Sequence, residues 1–97
     1  MDTKKFLQSV QENHPPIGIP TCLQALWFDA KEDWEEAHRL IQDEPGSMPG
    51  RIHAYLHRKE GDAANAGYWY RRAGVSPFSG SLQEEWHHLV EACLNGA

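Results

Sequence analysis

The stretch Lys59-Glu-Gly-Asp-Ala-Ala-Asn-Ala-Gly-Tyr-Trp-Tyr-Arg-Arg-Ala-Gly74 constrains the fold more than any other part of the chain. Gly61 suits the left-handed position that closes one helix, and Asp62 is an N-cap for the next. Beyond it, Ala63, Ala66, Tyr70 and Ala73 recur at three- and four-residue steps and share one helical face. A shift of 29 residues lays a degenerate upstream copy over this hinge: Ala25 falls on Ala54, Asp33 on Asp62, Ala37 on Ala66 and Ile41 on Tyr70. A tight helical hairpin needs these residue types. The Asp restarts the second helix, a small residue one turn in lets the helices approach, and a large apolar residue one turn later fills the groove. The pattern predicts an all-α fold of five or six short helices in antiparallel hairpins.

The remaining elements follow from stripes and punctuation. Residues 3–13 form a short helix capped by Asp2 or Thr3, with Phe6, Leu7 and Val10 on its apolar side. His14-Pro-Pro16 stops it. Residues 21–44 and 51–74 are the two hairpins, separated by the loop Pro45-Gly-Ser-Met-Pro-Gly50. Val75 to Gly80 is a second loop, anchored by Phe78. Ser81 with Glu84 makes a capping box, and residues 81–95 form a terminal capping helix with Leu82, Trp86, Leu89, Val90, Cys93 and Leu94 along one side. At 97 residues the chain is expected to be one domain, 1–97.

Charge and hydropathy exclude several function classes. The net charge of -5 argues against nucleic-acid binding, which rests on phosphate neutralisation. Mean hydropathy is -0.66, and no apolar run approaches the roughly 20 residues of a membrane span. The beginning Met-Asp-Thr-Lys-Lys-Phe-Leu-Gln lacks a long apolar core, so a cytoplasmic location is expected. Cys22 and Cys93 each fall on an apolar helix face and are expected to be buried thiols; a disulfide between them is an alternative. The four tryptophans in a small polar domain allow a homodimer face.

The segment Gly61-Asp62-Ala63…Ala66…Tyr70…Ala73 resembles the second helix of the tetratricopeptide repeat. Tyr68-Trp-Tyr-Arg-Arg-Ala-Gly74 is similar to the end of Sel1-like repeats. The wider run from Tyr55 to Gly74 also resembles small microbial helical proteins of uncharacterised function, which brings no activity with it. Membership of the repeat class implies binding of a protein or peptide along the first helices. Arg51, Tyr55 and Arg58 would then line the groove.

Two residue sets carry chemistry of their own. His53 and His57 lie four apart and project from one side of a helix, a spacing suited to sharing a metal ion. A third ligand would come from His38, His87 or His88. Two histidines alone complete no metal set, so neither metal nor cofactor is assigned. Asn65, Tyr68 and Arg72 form a second row, flanked by Arg71. Beside His53, His57 and Arg58 this row suits an anion or carboxylate. No nucleophile elbow or phosphate-cradling glycine loop occurs. The leading expectation is an interaction module without catalysis. The alternative is a protein binding a metal, an anion or another small molecule, enzymatic or not, centred on the His53/His57/Arg58 and Asn65/Tyr68/Arg72 faces.

Overall fold

A computed structural model describes residues 1–96. Among them are six helices and no strand: α1 (Thr3–Ser9), α2 (Thr21–Ala30), α3 (Trp34–Ile41), α4 (Ser47–Lys59), α5 (Ala63–Ala73) and α6 (Leu82–Leu94). The fold class is all-α. No helix among the described residues is long and apolar enough to cross a membrane.

The 29-residue correspondence is visible in the backbone. At the α2–α3 hinge Glu32 adopts φ 63°, and at the α4–α5 hinge Gly61 adopts φ 86°. The next residue in each, Asp33 and Asp62, is the N-cap of the following helix and accepts from the backbone N–H three residues on. Asp33 N–H donates to the Phe28 carbonyl at 2.9 Å, and Asp62 N–H to the His57 carbonyl at 2.8 Å. The matched positions Ala25, Ala54, Ala37, Ala66, Ile41 and Tyr70 are all buried. Small residues at the crossing let each pair of helices close on each other.

Two helix boundaries differ from the sequence reading. The first helix ends at Ser9, four residues before the expected stop. Ser9 Oγ turns back to donate to the Phe6 carbonyl, and residues 10–12 continue only as single turns. The fourth helix starts at Ser47, so Ser47–Gly50 is helical where a loop was expected. Pro49 sits in the first turn, where a missing N–H breaks no helical bond. Ser47 Oγ donates to the Ala73 carbonyl at 2.8 Å, and a Cβ built on Gly50 would lie 3.1 Å from the Ala73 Cβ. That close approach fixes the early helix start.

The core lies where α2, α4 and α6 meet, around Phe6, Leu26, Ile52, Leu56, Leu89 and Val90. Three tryptophan indoles lock neighbouring segments together. Trp27 donates to the Ser9 carbonyl, Trp34 to that of Leu56 and Trp86 to that of Leu26. Phe78 packs beside a smaller cluster of Ala54, Ala66 and Tyr70. The Ser81–Glu84 capping box is formed.

Candidate metal centre

Helix α4 carries polar groups on two sides, and the structure separates them. On one side, His53 and His57 face His38 of α3. His38 Nε2 and His53 Nε2 are 2.9 Å apart. The ligand nitrogens of His38, His53 and His57 all lie within 4.8 Å of one another. Of the three histidines weighed as a third ligand, His38 is the one that converges. His87 and His88 lie elsewhere on α6, against Trp86 and Phe78.

Each ring is held by a neighbour. Trp34, one turn before His38, stacks on it with centroids 4.8 Å apart and planes 9° off parallel. Trp69 of α5 stacks on His53 at 3.9 Å. Glu60 accepts from His57 Nδ1 at 2.7 Å, which leaves Nε2 of that ring as the free nitrogen. A carboxylate on the far nitrogen of an imidazole fixes its tautomer and raises its basicity as a ligand.

Two of the rings, His38 and His53, favour the neutral form. Burial, then the neighbouring His38 and His57, push His53 down to about 4. Burial and His57 also lower His38, against a smaller opposing pull from Glu60. The 2.9 Å contact needs one ring to donate and the other to accept, so the two cannot both be protonated there. Neutral nitrogen is the form that binds a metal.

The geometry is close to a three-imidazole set. A tetrahedral ion about 2.0–2.1 Å from each nitrogen places the nitrogens about 3.3 Å apart. The His38–His53 pair must open by a few tenths of an ångström to reach that spacing. His53, Trp69 and Arg72 also border a groove of about 600 Å³ between the loop 42–46 and the α4–α5 pair, so the cluster adjoins open space at His53.

On its other side α4 is taken up by ion pairs. Tyr55 donates to Asp29 Oδ2 at 2.6 Å, and Lys59 Nζ donates to Asp29 Oδ1 at 2.9 Å. Arg58 donates to Glu85 Oε1 at 2.8 Å and to the Gly80 carbonyl, while Tyr70 donates to Glu85 Oε2 at 2.6 Å. Asp29 and Glu85 are each 2% exposed, so both carboxylates are buried and fully engaged. Burial together with the adjacent carboxylate raises both phenols well above the usual range.

The other expected site residues scatter. Tyr55 is largely buried with its hydroxyl on Asp29 but borders an open cleft of about 520 Å³ beside Lys59 and Trp86, while Arg58 is paired with Glu85. Arg51 borders a different cleft with Tyr70, Glu85 and His88. Asn65 Nδ2 donates to the Asp62 carboxylate, and Arg71 is exposed on the far face of α5. Arg72 donates to the Tyr68 hydroxyl at 3.0 Å and lies over the Trp69 ring, at the edge of the histidine cluster. The sequence reading missed Trp34, Trp69 and Glu60 as supports. The spacing Trp34–His38 and His57–Glu60, one helical turn each, was the available signal.

Comparison with family models, curated proteins and solved structures finds no match to this chain, so its own geometry carries the functional reading.

Proposed function

We propose that the protein binds one first-row transition-metal ion through His38, His53 and His57. The observation that carries this reading is the convergence of three imidazoles from two helices, each ring held by its own neighbour. Imidazole nitrogens suit zinc, copper, nickel and iron over calcium or magnesium. Three protein ligands leave a fourth position for water or an outside ligand, the arrangement of reactive zinc sites as opposed to closed structural ones. The groove bordered by His53, Trp69 and Arg72 gives that ligand a way in.

The reading as a peptide-binding helical repeat draws less support from the geometry. Two of its three groove residues are spent on internal partners, and α6 packs against the first helices α2 and α4.

Cobalt(II) titration tests the proposal, because a tetrahedral cobalt site gives intense visible d–d bands. One equivalent of cobalt should develop them, and His53→Ala should abolish them. A spectrum unchanged from aqueous cobalt would overturn the proposal.

A further inference from the structure

The geometry points to a second binding site, a cleft that takes a small amphipathic cation: a primary ammonium group on an aromatic or aliphatic body. The cleft measures about 520 Å³, is lined from α2, α4, α6 and the end of α1, and shares no residue with the histidine cluster or its groove. Leu7, Val10, Leu82 and Trp86 give it apolar walls. All four belong to the main core or pack against it, so the walls stand ready for an apolar body.

Charge decides the ligand. The charged side chains on the lining are Asp29, Glu32 and Lys59, two carboxylates against one ammonium, with His87 the remaining histidine. Asp29 is buried and accepts from both Tyr55 and Lys59, so Asp29 and Lys59 neutralise each other. Glu32 is left over. Its side chain is 79% exposed, and its carboxylate stands 3.5 Å from Lys59 Nζ, longer than a normal hydrogen bond. A ligand ammonium finds there a carboxylate with open acceptor sites, whereas a ligand carboxylate meets a like charge. The last residues of α2 and α4, Ala30 and Lys59, line the cleft, against one helix beginning, Leu82 of α6. The carbonyls at helix C-termini add partial negative charge. Lys31, just beyond the end of α2, is spent on the Val10 and Glu12 carbonyls.

Glu32 is also held against its backbone preference. Its φ of 63° lies in the left-handed region, and the matching position of the second hinge is Gly61 at 86°. Glycine takes such a turn without strain. The first hinge instead keeps a carboxylate at the cleft, which marks Glu32 as a binding residue more than a requirement of the turn.

The test uses the whole chain with excess chelator, so that no metal at the histidine cluster captures the amine, and follows amide and indole signals by NMR. Phenethylammonium is the probe, with 3-phenylpropionate and 2-phenylethanol as its anionic and neutral counterparts. The ammonium should saturate in roughly the millimolar range, shift the Glu32 amide and the Trp86 indole, and bind about tenfold more tightly than either counterpart. Glu32→Gln should weaken it about tenfold. Glu32→Gly should weaken it as much while leaving the melting temperature unchanged or raised, because the strain at the hinge is relieved. Absence of saturable phenethylammonium binding, or binding of 3-phenylpropionate that is equal or tighter, would overturn the proposal. Binding unaffected by Glu32→Gln, or a melting temperature lowered by Glu32→Gly, would overturn the role given to Glu32.

Discussion

His38 Nε2 lies 2.9 Å from His53 Nε2, although the two residues sit on different helices and are 15 positions apart. The helices meet there because Trp34 of α3 donates its indole N–H to the Leu56 carbonyl of α4 at 2.8 Å. The same indole is the platform on which His38 stacks. One tryptophan therefore sets both the packing of α3 on α4 and the orientation of the first imidazole.

Trp34→Phe keeps an aromatic platform and removes the indole donor. The Leu56 carbonyl loses its partner, so a stability loss of about 1 kcal/mol is expected in chemical denaturation. Metal affinity should fall more steeply than in a surface control, because the ring beneath His38 is no longer fixed.

Glu60→Gln tests the support of His57. The glutamine carbonyl can still accept from Nδ1 but carries no charge. Weaker orientation and lower ligand basicity predict about a tenfold loss of metal affinity with no change of fold, measured by competition with a chromophoric chelator.

Acid should weaken the folded state through the same cluster. His53 is held at about 4, against 6.5 for an ordinary imidazole, and His38 is shifted the same way. Between those values the unfolded chain binds more protons than the folded one. The stability contributed by the neutral rings is therefore full above about pH 6.5 and is lost as pH falls toward 4. Melting temperatures at pH 7 and pH 5 should show this drop, and His53→Phe should shrink it. Bound metal should make the dependence steeper, because protons compete for the same nitrogens.

The buried carboxylates should be costly to remove. Asp29→Ala leaves Lys59 without its buried partner and the Tyr55 hydroxyl without an acceptor, and Glu85→Ala does the same to Arg58 and Tyr70. Each is expected to destabilise by about 3 kcal/mol in urea unfolding. Metal binding should survive in whatever fraction stays folded.

The hairpins were legible in the sequence because their determinants are local. Asp33 and Asp62 cap from three residues away, and the alanines between them report close packing by their size alone. The start of α4 was not legible. It depends on Gly50 meeting Ala73, a tertiary contact that outweighs the loop-like composition of Pro45 to Gly50. The histidine pair on α4 was readable from its spacing. The choice of His38 over His87 or His88 was not, since it rests on how α3 docks. Tyr55 and Arg58 entered as groove residues through the repeat resemblance, and their pairing was not legible because their acidic partners, Asp29 and Glu85, lie 26 and 27 positions away.

Isothermal titration with zinc tests the central claim most directly. The metal-free protein should bind one equivalent with a dissociation constant in the micromolar range or tighter, and His38→Ala, His53→Ala and His57→Ala should each remove that heat while staying folded. Absence of saturable zinc binding in the folded protein, or binding that persists in all three variants, would contradict it.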